Sequence, residues 1–184
     1  MNNKIATIWI SGVTASGKTT LGKILYQELK KGGINNIKFL DGEDLRKTQK
    51  RVYGHSLEER FKVIKNYIKT VQNENKKGNI VIISTVSHKK KMRDLARVEL
   101  PNFFEVNLLC NATACAARDY KNLYNSIDKN SKECFPGVTE PYEISNNAEL
   151  ILDTEKNSLE ELKTSLFSRA LDFLNGGLDS DSIS

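Results

Sequence analysis

Gly12-Val13-Thr14-Ala15-Ser16-Gly17-Lys18-Thr19 is the segment that most restricts how this chain can fold. It matches the spacing G-x-x-x-x-G-K-[ST], and its flanks are those the spacing requires. The apolar run Ile5 to Ile10 reads as a buried strand leading in. Lys18 to Lys31 reads as a helix leading out, with Leu21, Ile24, Leu25 and Leu29 on one face and Gly32-Gly33 as its stop. The glycines let the backbone curl so that successive N–H groups and the helix N-terminus face one anion. Gly12, Ala15, Ser16, Gly17, Lys18, Thr19 and Thr20 are therefore the expected contacts for the polyphosphate of ATP. Lys18 is expected to serve the transferring phosphoryl group, and the Thr19 hydroxyl to hold Mg2+.

The rest of the chain repeats the alternation of short apolar runs with helical patterns. Ile37 to Leu40, Ile80 to Ile83, Phe103 to Leu109 and Leu150 to Leu152 read as further strands. Ser56-Leu57-Glu58-Glu59 is a capping box opening a helix whose Leu57, Phe61, Ile64, Ile68 and Val71 form a core-facing stripe. Another helix is expected through Cys115 and Arg118. A last one follows the Ser158-Leu159-Glu160-Glu161 box and ends at Gly176-Gly177. This pattern predicts an α/β fold of the P-loop NTPase type, a three-layer sandwich with a central parallel sheet flanked by helices. One domain is expected over residues 1–177, with 178–184 as a polar tail. The polar stretch Tyr120 to Tyr142, which holds Pro136, Gly137 and Pro141, is the lid candidate.

Composition narrows the class rather than the reaction. No apolar run approaches the roughly 20 residues of a membrane span, and no secretory cleavage pattern follows Met1, so the expected location is the cytoplasm. Cys110, Cys115 and Cys134 form no CxxC pair and read as buried or incidental thiols. The net charge of +5 suits a small anionic substrate, and no nucleic-acid-binding module is visible. Asn75-Lys76-Lys77-Gly78 is not the Asn-Lys-x-Asp of a GTPase. Ile80 to Ile83 runs into Ser84-Thr85, without the acidic residue of a large ATPase. The carboxylates follow the second strand instead. Asp41 and Glu43, two apart, are placed to orient a magnesium-bound water or to accept a proton from an attacking hydroxyl. Which of the two acts as base stays open.

Several further elements, in order, resemble the adenylylsulfate (APS) kinase family from Trp9 to about Thr154. Asp41-Gly42-Glu43-Asp44-Leu45-Arg46 resembles Asp-Gly-Asp-Asn-x-Arg, and Ser56 through Arg60 a Ser-x-x-Asp-Arg element. Arg118-Asp119 and Lys121-Asn122-Leu123-Tyr124 resemble Arg-Asp and Lys-Gly-Leu-Tyr. Phe135-Pro136-Gly137-Val138-Thr139-Glu140-Pro141-Tyr142-Glu143 resembles Phe-Thr-Gly-Ile-Asp-x-Pro-Tyr-Glu. The resemblance implies an ATP- and Mg2+-dependent kinase acting on the ribose 3′-hydroxyl of a nucleotide with a modified 5′-phosphate. It implies catalytic roles for Lys18, Asp41 and Glu43, metal contacts for Thr19 and Asp41, and an ATP contact for Arg118. Asp41, Arg46, His55, Arg60, Ser87, Lys121 and Phe135 would face the acceptor, with Phe135 stacking on its base and Arg46 and Arg60 on its anion. A homodimer is also compatible with it.

The departures from that pattern lie on the acceptor side. Gly54-His55-Ser56 stands where the family has Gly-Phe-Ser, and Val63 and Lys65 replace an Asn and an Arg. Ser87-His88-Lys89-Lys90 replaces Ser-Pro-Tyr-Arg, so His88 takes the place of a proline. Losing one aromatic face of a base clamp costs roughly 1–3 kcal/mol of stacking. The acceptor is therefore expected to be APS itself or another nucleotide such as cytidine diphosphoramidate. A catalytically weak P-loop binding module is the alternative of a different class.

Overall fold

The computed structural model describes residues 5–48, 51–119, 124 and 134–176. The five apolar runs become five strands: β1 (Thr7–Ser11), β2 (Ile37–Asp41), β3 (Ile80–Thr85), β4 (Phe103–Leu109) and β5 (Leu150–Asp153). All pair in parallel, in the order β2-β3-β1-β4-β5. Parallel neighbours need crossover connections, which is why helices punctuate the chain: α1 (Lys18–Lys31), α2 (Gly42–Lys47), α3 (Leu57–Lys76), α4 (Lys90–Glu99), α5 (Ala112–Ala117) and α6 (Leu159–Asn175).

Burial on both faces selects the β-branched, continuously apolar strands. Along β1, Ile8 and Ile10 enter one apolar layer with Leu21 and Leu25 of α1 and Leu162 and Leu166 of α6. Trp9 points the other way, into a second layer with Val81, Ile83, Ile64 and Ile68 of α3, and Met92 of α4. The expected three layers are therefore present. The carboxyl ends of β1, β2 and β3 lie side by side, with Ser84 in register with both Asp41 and Ile10, and Thr85 with Ser11. In sheets of this kind ligands bind outside the carboxyl ends, where the strand order reverses.

Two helices go beyond the sequence reading. After β2 the chain enters α2 directly: Asp41 is its N-cap, and its Oδ1 accepts from Glu43 N at 2.8 Å. The segment Lys89-Lys90-Lys91 opens α4, for which the apolar pattern gave no signal. On its inner side α4 buries Arg93 completely, beside Met92 and Ala96. The capping box at Ser56 is only half formed. Ser56 Oγ accepts from Glu59 N, while the Glu59 carboxylate turns to Gly54 N and Arg51. The box at Ser158 is complete. The expected tail at 178–184 and most of the expected lid lie outside the described residues.

Candidate active site

The turn between β1 and α1 forms the cradle. Gly17 takes φ 93°, a left-handed conformation suited to glycine, and N-caps α1. Gly12 admits a close approach, since a Cβ there would meet Ser16 Oγ at 2.6 Å and the Leu108 carbonyl at 3.0 Å. Ser16 Oγ is buried without a hydrogen-bond partner among the described residues. An unused donor inside a ring of amides is what an anion would satisfy.

Lys18 lies within the cradle and donates through Nζ to the Val13 carbonyl at 2.5 Å. Burial pushes its pKa down to about 8, against the raising influence of Cys115 and Asp41. Thr19 Oγ1 donates to Asp41 Oδ2 at 2.6 Å, and Ser84 Oγ donates to the same oxygen at 3.1 Å. Burial alone would raise the Asp41 pKa. The hydrogen bonds from Thr19, Glu43 N and Ser84 outweigh it and hold the carboxyl below its usual range. Glu43 lies apart on exposed α2, with its carboxylate 3.1 Å from Lys47 Nζ. The geometry thus brings Lys18, Thr19 and Asp41 together and leaves Glu43 at the edge.

On the β4–β5 side of the cradle lies a cavity of ≈ 460 Å³ whose walls include Val13, Leu108, Cys110, Asn111, Glu155 and Lys156. Arg118, the C-cap of α5, reaches across to Thr154 through its carbonyl (2.9 Å) and Oγ1 (3.4 Å). Thr20 is exposed on the first turn of α1.

The residues expected on the acceptor side gather around α3. Arg46 Nη2 donates to the carbonyls of Tyr53 and Gly54, each at 2.7 Å, and so holds the loop carrying His55. Arg60 donates to the Cys134 carbonyl from Nε (3.0 Å) and Nη2 (2.6 Å), with His55 Nδ1 3.3 Å from Nη2. Phe135 meets the Tyr124 ring edge-on, centroids 5.3 Å apart, and Tyr124 Oη donates to the P-loop carbonyl of Thr14 at 2.9 Å. Ser87 is the exception. It is fully buried, and its Oγ accepts from Trp9 Nε1 at 2.9 Å, so the core uses the group expected to face the acceptor. Val63 is likewise core, 4% exposed. Lys121 lies outside the described residues.

Sequence reasoning missed Ser84, Tyr124 and Cys134. The signal for Ser84 was its place directly after the most apolar strand; Tyr124 and Cys134 act through contacts far along the chain.

His88 is buried beside Cys134, and burial, then Arg60 and Lys89, push its pKa down to about 4. A histidine depressed from about 6.5 in the unfolded chain leaves the folded state binding fewer protons between those values, so stability falls as pH drops through that window. Between pH 7.5 and 5 the loss should be about 2 kcal/mol. Denaturant titrations at both pH values should show it in the parent protein and not in His88→Gln.

The comparisons with known proteins agree with this fold. The family model described as adenylylsulphate kinase matches residues 4–153. The chain belongs to the adenylylsulfate kinase family. A probable adenylyl-sulfate kinase of Aeropyrum pernix is 36% identical over 166 residues, 88% of this chain and 90% of that protein. The adenylyl-sulfate kinase of Rippkaea orientalis is 31% identical over 169 residues, 92% and 93% of the two chains. Among solved structures, the crystal structure of APE1195 superposes with TM-score 0.80 at 32% identity, over 93% of this chain and 98% of that one. The Mycobacterium tuberculosis APS kinase CysC in complex with AMPPNP and APS gives 0.79 at 25%, over 94% and 98%. A gluconokinase of Sinorhizobium meliloti, at 16% identity and TM-score 0.63 over 96% and 98%, shares the fold alone. As a member of the adenylylsulfate kinase family the chain is an ATP-dependent phosphotransferase with a hydroxyl acceptor. No helix among the described residues is long and apolar enough to cross a membrane.

Proposed function

We propose that the chain transfers the γ-phosphoryl group of ATP to the ribose 3′-hydroxyl of adenylylsulfate, giving the 3′-phosphorylated product PAPS. The observation that carries this reading is the Thr19–Asp41 hydrogen bond, which joins the phosphate cradle to the end of β2, where the acceptor-side segment begins. Relatives at 36% and 31% identity named as adenylyl-sulfate kinases support the substrate.

The cradle amides and Ser16 Oγ bind the β- and γ-phosphates, and Lys18 leaves the Val13 carbonyl to meet the transferring group. Arg118 and the cavity beside it receive the nucleoside end of ATP. Thr19 Oγ1 and the Asp41 carboxylate are hard oxygen ligands that fit Mg2+, which when bound neutralises charge on the phosphates. Asp41 also orients the acceptor hydroxyl and takes its proton at a carboxylate oxygen. A low carboxyl pKa is compatible with that role, because the transition state is loose and the proton leaves late. Glu43 supports Asp41 from the first turn of α2 through its backbone N–H. Arg46 and Arg60 bind the acceptor's anionic 5′ group, and Phe135 and His55 flank its base.

A second reading keeps this chemistry and changes the acceptor to another nucleotide with a modified 5′-phosphate, cytidine diphosphoramidate being one. His55 in place of an aromatic, and a Val63 side chain committed to the core, favour it. A coupled assay offering ATP with each acceptor separates the two, and turnover on neither would end both. Arg60→Ala should raise the KM for the acceptor by about 10–100-fold, the loss of a charge-assisted contact of about 1.5–3 kcal/mol, with little change for ATP. Equal effects on both substrates would displace Arg60 from the acceptor site.

A further inference from the structure

Cys134 is where the acceptor-side residues meet. Its N–H donates to the His55 carbonyl at 3.2 Å, and its own carbonyl receives Arg60 Nε and Nη2 at 3.0 and 2.6 Å. Its thiol lies 3.3 Å from His88 Nε2, and Phe135 is the next residue. One buried cysteine therefore touches or adjoins three residues assigned to the acceptor.

His88 is the fixed end of this contact. It is fully buried behind β3, its carbonyl accepts from Glu143 N at 2.8 Å, and Nδ1 has no partner among the described residues. Among the described residues, the thiol is thus the one side-chain hydrogen-bond partner of that ring. A neutral imidazole can accept the S–H proton at Nε2, an ordinary if weak bond. The family pattern has proline at this position, and proline has no side-chain hydrogen-bonding group.

We propose that the His88–Cys134 hydrogen bond is a latch that positions Phe135 and Arg60, making both latch residues determinants of acceptor affinity. With the thiol anchored, the Cys134 carbonyl is aimed at Arg60 and its N–H at the His55 loop, so the guanidinium and the Phe135 ring are presented together. Released, Cys134 is no longer held through its side chain, and Arg60 loses the carbonyl that sets its orientation. The proposal rests on the reading that the nucleotide acceptor binds between Arg60 and Phe135.

The test uses the full-length enzyme and two readouts. In initial-rate kinetics with ATP and adenylylsulfate varied separately, His88→Leu and Cys134→Val should each raise the acceptor KM about ten-fold, the scale of one hydrogen bond of about 1.4 kcal/mol. The ATP KM should stay put, and Cys134→Ser, which keeps an X–H donor, should recover most of the affinity. The double variant His88→Leu/Cys134→Val should be no worse than the poorer single one, as expected of two groups acting through one contact. The second readout needs no acceptor: iodoacetamide alkylation followed by mass spectrometry. His88→Leu should speed labelling of Cys134 about ten-fold, on the same energy scale, while fully buried Cys115 serves as the internal control. Parallel rises in both KM values, additive losses in the double variant, or unchanged Cys134 labelling would each overturn the latch. Failure of the parent enzyme to phosphorylate adenylylsulfate would overturn the acceptor assignment instead, with the labelling still deciding the contact.

Discussion

Lys18→Met should abolish phosphoryl transfer and yet leave a folded protein that melts slightly higher than the parent. The ammonium lies inside the cradle with its pKa pushed down to about 8, so the empty protein holds a charge that burial disfavours. Relative to a model lysine the shift corresponds to about 3 kcal/mol at neutral pH. Part of that is recovered by an uncharged side chain of similar length, since the Val13 carbonyl keeps its second donor, Ser16 N, at 3.3 Å. A gain of about 1–2 kcal/mol, or roughly 2–8 °C in Tm, is expected. Because the folded state binds fewer protons than the unfolded chain between pH 8 and 10.5, the parent should also gain stability across that window, and the variant should lack that slope. Catalysis should move the other way. Losing a preorganised cation at the transferring phosphoryl group costs about 3–4 kcal/mol or more, a fall of at least 10²–10³-fold in kcat. Calorimetric melting and single-turnover assays on the same preparation check both halves. A variant retaining a tenth or more of the parental rate would remove Lys18 from the chemistry.

The second large effect concerns stability. Glu105→Leu should lower stability by about 3–5 kcal/mol, because it strands the fully buried Arg93 without its countercharge. Glu105 Oε1 accepts from Arg93 Nε at 2.8 Å and Asn107 Nδ2 at 2.7 Å, and Oε2 from Arg97 Nη2 at 3.1 Å and Ser145 Oγ at 3.3 Å. Arg93 in turn donates to the carbonyls of Ser87 and Glu143 and lies over the Tyr142 ring. A drop of about 6–20 °C in Tm is expected. Removing both charges, as in Glu105→Leu/Arg93→Met, should recover much of it, since a buried pair owes its cost of disruption to the partner left behind. If the double variant melted as low as the single one, the loss would have to come from packing instead.

This network also explains where the sequence was readable and where it was not. Strands such as Ile80 to Thr85 announce themselves, because a strand covered on both faces has to be apolar throughout. The cradle was equally legible, since its chemistry is carried by eight consecutive residues. Helix α4 was not: its inner face is built partly from Arg93, and periodicity counts an arginine as outside. Only the i, i+4 spacing of Arg93 and Arg97 beside Met92 and Ala96 hinted at it. The burial of Ser87 was hidden for a different reason. The resemblance supplied a role, while Trp9, 78 residues away in the chain, supplied the partner. Asp41 and Glu43 looked interchangeable until the fold set one against Thr19 and Ser84 and the other against Lys47.

The division of the interior by the sheet has an evolutionary consequence. The helix that follows the P-loop is rooted in the layer of Ile8, Leu25 and Leu166, whereas the helix bearing Arg60 is rooted in the layer of Trp9, Ile68 and Met92. Drift in the second layer, to which Val63 belongs, can reshape what is phosphorylated while the machinery that uses ATP stays untouched. A kinase partitioned in this way can change customers without rebuilding its engine.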